Sequence, residues 1–241
     1  MTEKNMVITS PKSPIYRELR QILLHPIRSP YAIVEGYNAY NQLREDGVSM
    51  EIFLLEGQEP IEGAKVLSKR LFDNLILTEN PQGILCKVEK VKKSFDGGMI
   101  LLLDRVQDPG NVGTLLRSAQ AFGFNNILLL KGSCSVYNDK VLRSSMAAVF
   151  DLSIEEMASI DRVKEILQEG YVLYSADGGG KSFRELAPGK LILALGNESR
   201  GLSQEIQELS SQSYGIPMKG SQESLNVAVA GSIFMCQLQE I

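Results

Sequence analysis

The feature that most restricts the possible folds is a pattern in the second half of the chain. Five short apolar runs alternate there with stretches of helical periodicity. The runs lie at residues 99–103, 126–130, 171–175, 191–195 and 214–217, and the helical stretches at 112–122, 137–144, 155–169, 204–209 and 225–240. Because the runs are apolar at nearly every position, we expect strands that are buried on both faces. Such strands alternating with helices predict a doubly wound, mostly parallel sheet, with its ligand crevice at the carboxyl ends of the strands.

The first part of the chain predicts a separate, smaller α/β domain. Ile15, Leu19, Ile22 and Leu23 form the stripe of an amphipathic helix. Further helices are predicted at 36–44 and 63–69, and strands at 31–34, 50–55 and 75–77. The polar, lysine-rich stretch 87–98 is interpreted as a linker. We therefore expect one domain over residues 1–95 and a second over residues 96–241.

Composition excludes several classes of protein. With 44% hydrophobic and 22% charged residues, the chain is not collagen-like, coiled-coil or disordered. No apolar run approaches the ~18–20 residues that cross a bilayer, and no signal peptide follows Met1, so we expect a cytoplasmic protein. Cys86, Cys134 and Cys236 are too scattered for a disulfide framework or a zinc site. Because the single histidine, His25, lies outside the second half, we expect neither a metal nor histidine acid–base chemistry.

The charge balance argues against RNA binding by a generally basic domain. The net charge is −4 overall, with 0 over residues 1–96 and −4 over residues 97–241. Any RNA contact must therefore come from local patches. Candidate patches are Arg17, Arg20 and Arg28, and Lys87, Lys90, Lys92 and Lys93, although such runs are also typical of solvated helix faces.

The loop after the first apolar run of the second half carries unusual polar residues. Asn111 is interpreted as the N-cap of the following helix, and Gly113 in its first turn suggests close approach of another group. Arg117 falls near the middle of this otherwise apolar helix. Pairing of Arg117 with Asp104 or Asp108 is the alternative to a functional role.

Two later loops are similarly polar. Gly196 and Gly201 allow the backbone to wrap tightly around a ligand, and Glu198 between them is not needed for a turn. Ser203 is interpreted as the cap of the next helix. In the third loop, Ser221 or Ser224 is interpreted as the cap of the final helix, with Asn226 in its first turn.

The sequence lacks the motifs of two common nucleotide-binding folds, the dinucleotide-binding Rossmann fold and the P-loop fold. No G-x-G-x-x-G opens a helix after the first strand, and the cluster Gly178, Gly179 and Gly180 lacks a suitable acidic residue downstream. No G-x-x-x-x-G-K-[ST] is present, which excludes a P-loop.

Together the three loops resemble a known family. N-x-G-x-x-x-R at 111–117, G-N-E-x-x-G at 196–201 and I-P-M-x-G-x-x-x-S-L-N-V-x-V-A at 216–230 are similar to the three ordered motifs of the SpoU (TrmH-like) RNA ribose 2′-O-methyltransferases of the SPOUT superfamily. Ala228 stands where a second serine is common. Residues 32–36 resemble the F-x-V-E-G segment of the substrate-binding domain that often precedes the catalytic domain, although the phenylalanine is absent.

The resemblance implies a C-terminal parallel-sheet SPOUT domain with a deep trefoil knot, preceded by a small α/β substrate-binding domain. It also implies S-adenosylmethionine as the cofactor. The residues that would hold it are Ala176, Leu195, Gly196, Gly201, Ile216, Met218, Ser224 and Leu225.

The resemblance further implies a catalytic set of Arg117, Asn111, Glu198, Ser224 and Asn226. Because a guanidinium group stays protonated, we expect Arg117 to position the ribose or clamp a phosphate, while the proton leaves to water or to an RNA phosphate. Family members act as dimers in which this arginine reaches the partner's site. The terminal helix offers an apolar face for such a contact, formed by Val227, Ala230, Ile233 and Phe234.

The added N-terminal domain favours ribosomal RNA over transfer RNA as the substrate. Two other readings stay open, namely an RNA-binding protein of the same fold without catalysis and a methyltransferase acting on a small molecule.

Overall fold

The computed structural model describes residues 7–76, 78, 80–186, 188–219 and 224–239. These residues form two compact units, one drawn from 1–91 and 137–150 and the other from 92–136 and 151–241. The segment 137–150 lies within the range 96–241 of the sequence but packs in the first unit. Among the helices of the described ranges, none is long and apolar enough to cross a membrane.

The first unit is a four-stranded sheet covered by helices. In chain order its strands are β1 (Tyr31–Glu35), β2 (Met50–Leu55), β3 (Lys65–Leu67) and β4 (Ile84–Glu89). They are ordered β1-β4-β2-β3 in the sheet, with β4 antiparallel to β1 and β2, and β3 parallel to β2. The helices are α1 (Pro14–Leu24), α2 (Tyr37–Glu45), α3 (Lys69–Asp73) and, from the distant segment 137–150, α5 (Asp139–Ser144). Ala147 from the same segment packs in one core with Val34 and Tyr40.

Several sequence predictions for the first unit are wrong. The predicted helix at 63–69 contains strand β3, and β4 occupies the beginning of the predicted linker. Of the predicted strand 75–77, Leu75 lies in a turn and residue 77 is outside the described ranges. Lys87 of the lysine patch is buried and forms ion pairs with Glu18 and Glu51. It therefore stabilises the fold and is not an exposed RNA contact.

The second unit contains a six-stranded sheet in which every pairing is parallel. Its strands are β5 (Ile100–Asp104), β6 (Asn126–Leu130), β7 (Ser153–Ala158), β8 (Val172–Ser182), β9 (Leu191–Gly196) and β10 (Gln212–Gly215). Their order in the sheet is β10-β8-β9-β5-β6-β7. The helices are α4 (Pro109–Ala121), α6 (Ile160–Gln168), α7 (Gln204–Leu209) and α8 (Val227–Leu238). All residues of β5 and β6 are buried, which confirms the prediction of a parallel sheet with strands covered on both faces. The trefoil knot stays a prediction.

Strand β7 was not predicted from the sequence. The helix predicted at 155–169 begins inside β7, and α6 starts only at Ile160. β7 lies at one edge of the sheet, where charged side chains are common because one side of the strand faces solvent. Glu155 and Glu156 belong to this strand, and they hide the strand pattern in the sequence.

The last helix packs closely on the sheet and on α4. A Cβ atom added at Gly231 would lie 2.4 Å from Leu115 Cδ2 and 2.5 Å from Leu195 Cδ1. Ser118 Oγ and Ser232 Oγ lie 2.7 Å apart and form a hydrogen bond between α4 and α8. Close packing along this contact fixes the position of the N-terminus of α8, where Asn226 lies.

We expect Gly231→Ala to lower the free energy of unfolding by about 1 kcal/mol. Alanine is the better helix former by ~1 kcal/mol, but overpacking a filled core costs roughly 1–3 kcal/mol, and both leucine side chains are buried. Urea unfolding monitored by circular dichroism measures the difference. Gln237→Ala, at an exposed position of the same helix, is the control. A Gly231→Ala variant more stable than the wild type would contradict the packing argument.

Candidate active site

Parallel pairing of β5 and β9 brings two of the polar loops side by side. Asp104 is the register partner of Gly196 at the carboxyl ends of these strands. Asn197 Nδ2 then donates to the backbone oxygen of Arg105 at 2.9 Å. Asn197 and Gly201 exchange two backbone hydrogen bonds, of 3.0 and 2.9 Å. The loop after β9 is therefore a tight ring attached to the loop after β5.

Gly196 makes this ring possible. A Cβ atom at this position would lie 2.3 Å from the backbone carbon of Gly201 and 2.4 Å from the backbone nitrogen of Leu202. Main-chain atoms held in a closed ring cannot move aside, so any side chain here would open the loop.

The helix after β5 begins earlier than the sequence predicted. Asp108, not Asn111, is the N-cap of α4, and its carboxylate accepts from Asn111 N at 2.9 Å. Pro109 occupies the first turn, where its missing N–H group costs nothing. The prediction that Asn111 caps the helix is therefore wrong, and the Asn111 side chain is left available for other contacts.

The Asn111 side chain connects three separate segments. Its Nδ2 donates to Glu198 Oε1 at 3.0 Å, and its Oδ1 accepts from Asn226 Nδ2 at 2.9 Å. The three residues come from the three sequence motifs, so the structure brings all three motifs together by hydrogen bonds.

Asn226 also fixes the start of the final helix. It is the N-cap of α8, and its Oδ1 accepts from Ala228 N at 2.9 Å and Val229 N at 3.2 Å. Ser224 is therefore not the cap, and Ser221 lies outside the described ranges. Ser203 stands at the N-cap position of α7 but makes no side-chain capping bond.

Glu198 is held as an anion. Burial raises the pKa of its carboxyl group, but hydrogen bonds from Asn111 and from the backbone amides of Asp108 and Gln107 outweigh burial and bring the pKa below its ordinary value of 4.5. Asp108 N lies 3.2 Å from Oε1 and Gln107 N lies 3.5 Å from Oε2. Glu198 is therefore ionised at neutral pH and orients Asn111.

A cavity of about 620 Å³ opens beside this hydrogen-bonded group. All eight residues predicted to hold a cofactor line it, namely Ala176, Leu195, Gly196, Gly201, Ile216, Met218, Ser224 and Leu225. Glu198 and Asn226 line it as well. Other wall residues, among them Asp177, Gly178 and Gly179, were not predicted to hold a cofactor. The glycine cluster is their signal in the sequence, although it does not match a dinucleotide-binding motif.

Arg117 stands apart from the other predicted catalytic residues. Its side chain is exposed and does not line the cavity. Asp104 bonds instead to Arg105 Nε at 2.9 Å, and Asp108 caps α4. No hydrogen bond or ion pair joins the Arg117 side chain to any residue that the structure describes. Six residues along a helix correspond to about 9 Å of rise and about 240° of rotation, so Arg117 projects from another side of α4 than Asn111.

The exposed apolar face predicted for the terminal helix is partly wrong. Phe234 is buried and packs edge-on against Phe183, with ring centroids 6.1 Å apart. Val227, Ala230 and Ile233 are half-buried. The more exposed apolar side chains here are Leu225 and Val229, at 40% and 49% exposure.

Arg105 is a site residue that the sequence reasoning did not single out. Its backbone adopts a left-handed conformation, with φ of 58°, which costs a non-glycine residue roughly 1–2 kcal/mol. The buried carboxylate of Asp104 and the amide of Asn197 hold it there. No local sequence signal reports such a conformation in an arginine.

A cavity and a network of polar side chains at the carboxyl ends of parallel strands are typical of the ligand sites of α/β proteins. Residues 98–236 match the model of the SpoU rRNA Methylase family. The chain belongs to this family of methyltransferases, as its three motifs predicted.

Individual relatives agree with this assignment. The 23S rRNA (guanosine(2553)-2′-O)-methyltransferase RlmP of Bacillus subtilis is 33% identical over 178 residues, covering 72% of this chain and 71% of the relative. A protein assigned to the TrmH family of RNA methyltransferases from Porphyromonas gingivalis has a TM-score of 0.79 and 28% identity, covering 94% and 98% of the two chains. The SpoU methyltransferase AviRb from Streptomyces viridochromogenes, solved with the cofactor AdoMet, shares the fold with a TM-score of 0.79 at 22% identity, covering 93% and 97%.

The lowered pKa of Glu198 predicts a pH-dependent contribution to stability. A carboxyl group whose pKa is lower in the folded state stabilises the fold above its unfolded pKa, and this stabilisation is lost as the pH falls through the folded pKa. We therefore expect Glu198→Gln to be less stable than the wild type at pH 7, with the difference shrinking as the pH falls below 4.5. Urea unfolding across this range measures it, with Glu62→Gln, at an exposed carboxylate, as control. A difference independent of pH would contradict the assignment.

Proposed function

We propose that this protein transfers a methyl group from S-adenosylmethionine to a ribose 2′-hydroxyl of ribosomal RNA. The observation that carries the proposal is that hydrogen bonds through Asn111 join all three family motifs, and that its two partners, Glu198 and Asn226, line one cavity. The named activity of the relative RlmP supports the reaction and the RNA class.

The cavity suits the cofactor in size and in chemistry. Its volume of about 620 Å³ falls within the ~300–1,000 Å³ typical of small-molecule sites. Leu195, Ile216, Met218 and Leu225 offer apolar contacts for an adenine ring, and Gly196 lets the main chain approach it. When bound, S-adenosylmethionine supplies an electrophilic methyl group on a positively charged sulfur. Alignment of the ribose oxygen then remains for the protein, and we propose that no metal takes part.

The asparagine and glutamate side chains would perform this alignment. Hydrogen bonds at both ends of Asn111 leave it little freedom, and Asn226 is held by two backbone amides. Side chains fixed in this way lose little entropy when a substrate binds beside them. We propose that Asn226 and the exposed Ser224 contact the ribose, while Asn111 and Glu198 keep Asn226 in place.

Arg117 would act on the charge that develops during transfer. A guanidinium group donates hydrogen bonds and accepts none, so Arg117 would donate to a phosphate or to the developing alkoxide, and the proton of the 2′-hydroxyl leaves to water or to an RNA phosphate. Because Arg117 does not line the cavity of its own chain, we propose that it reaches the cavity of the partner in a homodimer. The exposed Leu225 and Val229 near the start of α8 support such an interface.

The first unit would contribute to RNA selection. We propose that residues 1–95 form the substrate-binding domain and that ribosomal RNA is preferred over transfer RNA, which places the reaction in the cytoplasm. Arg17 and Arg28 are exposed in this unit, as RNA contacts require. Transfer RNA is the second candidate substrate.

Methyl transfer from radiolabelled S-adenosylmethionine to unmodified 23S rRNA and to unmodified tRNA tests the proposal. We expect label in the rRNA and a loss of roughly 100-fold or more in kcat for Arg117→Ala, as for removal of other groups that stabilise transition-state charge. The dissociation constant of S-adenosylmethionine should stay unchanged. Arg117→Lys keeps the charge but lacks the planar guanidinium group, so its kcat should lie between those of the wild type and Arg117→Ala.

Label in tRNA alone would show that the substrate is transfer RNA and not ribosomal RNA. A wild-type protein that binds no S-adenosylmethionine would overturn the proposed reaction.

A further inference from the structure

A second, smaller pocket adjoins the cofactor cavity. Its volume is about 350 Å³, and it shares Asn197, Glu198 and Ser199 with the larger cavity. The remaining walls are Arg105, Gln107 and Arg200. Every lining residue is polar or charged, so the pocket suits a hydrophilic ligand that meets the cofactor at the shared wall.

The conformation of Arg105 holds its guanidinium group at this pocket. The left-handed backbone, the bond from Asn197 to the Arg105 oxygen and the ion pair with the buried Asp104 all fix its direction. The ion pair uses Nε, and the terminal nitrogens make no hydrogen bond to a described residue. About a third of the side chain is exposed, so these nitrogens are accessible to a ligand.

Two arginines and one carboxylate line the pocket, namely Arg105, Arg200 and Glu198. The carboxylate of Glu198 already accepts from Asn111 and from two backbone amides. Arg200 has an exposed side chain with no hydrogen bond to any residue within the described ranges, while its backbone amide is held by Asn197 Oδ1 at 3.0 Å. Asp104 balances the charge of Arg105 through Nε. The donors left for an anion are therefore the terminal nitrogens of Arg105 and the guanidinium group of Arg200.

We propose that Arg105 and Arg200 form a phosphodiester-binding subsite that holds the RNA backbone beside the target ribose; this inference rests on the proposed function. Guanidinium groups bind phosphate through paired hydrogen bonds. Phosphate contacts supply much of the affinity of proteins for nucleic acid and set the position of the strand. A phosphate at this pocket would fix the strand at the wall shared with the cofactor cavity, where the hydroxyl must be aligned.

The same two guanidinium groups could bind a different anion, the carboxylate of S-adenosylmethionine. Separate measurements of RNA binding and of cofactor binding show whether the two arginines bind an RNA phosphate or the cofactor carboxylate. Each variant is therefore titrated with S-adenosylmethionine alone and with an unmodified 23S rRNA transcript alone, and is then assayed for methyl transfer.

The variants are Arg105→Gly and Arg200→Ala in the full chain. Glycine accepts the left-handed backbone at position 105, and Arg200→Ala leaves the Asp104 ion pair intact should the first variant fold poorly. We expect each to raise the RNA dissociation constant about tenfold. The slope of log affinity against log salt should fall by roughly 0.7 for each lost contact to single-stranded RNA. The dissociation constant of S-adenosylmethionine should change less than twofold. Lys164→Ala on α6, which removes one charge away from the pocket, should change neither.

Three outcomes overturn the inference: unchanged RNA affinity and salt slope in both arginine variants, weakened cofactor binding with RNA binding intact, or an equal effect of Lys164→Ala. Failure of the proposed function is a separate result. A wild-type protein that binds the transcript without methylating it refutes the reaction, while its affinity relative to the variants still decides the subsite. A wild-type protein that binds no RNA refutes both.

Discussion

The amide side chain of Asn111 is the contact on which the arrangement of the site depends. An amide offers donors at one end and an acceptor at the other, so Asn111 can donate to Glu198 and accept from Asn226 at once. Aspartate would lose the donor and set two carboxylates against each other. Asn111 is available for this role because Asp108 caps the helix instead. Because Asp108 caps the helix, Asn111 is able to bond two residues that are distant in sequence: Glu198 is 87 positions away and Asn226 is 115 positions away.

Packing supplies the precision that these hydrogen bonds require. Parallel pairing of β5 and β9 sets the two loops side by side, and Gly196 lets the second loop close on itself. Gly231 lets α8 lie close to α4 and β9, which brings Asn226 to its partners. The cavity is the space left between these segments. The close packing of these segments forms both the apolar walls and the polar rim of the cavity. The same packing therefore shapes the pocket for a ligand and orients the polar side chains beside it.

The sequence predicts the parallel sheet and the cavity wall well, because apolar runs and ordered motifs are local signals. Helix caps are harder: Asp108 and Asn111 are both good caps, and spacing cannot choose between them. β7 was hidden by its edge glutamates, and β4 by Lys87, whose partner Glu18 lies on a helix distant in sequence. Burial of Phe234 against Phe183 and packing of segment 137–150 in the first unit depend on long-range contacts. The left-handed backbone of Arg105 follows from its neighbours, not from its own residue type.

The position of the methyl group in the product nucleoside decides whether this site methylates ribose. Ribosomal RNA methylated by the purified protein is digested to nucleosides, and the product is identified by mass spectrometry. We predict a mass increase of one methyl on the ribose fragment, together with resistance of the adjacent phosphodiester to alkali, because the 2′-oxygen is blocked. A methyl group on the base fragment would contradict the assignment of this site to ribose chemistry.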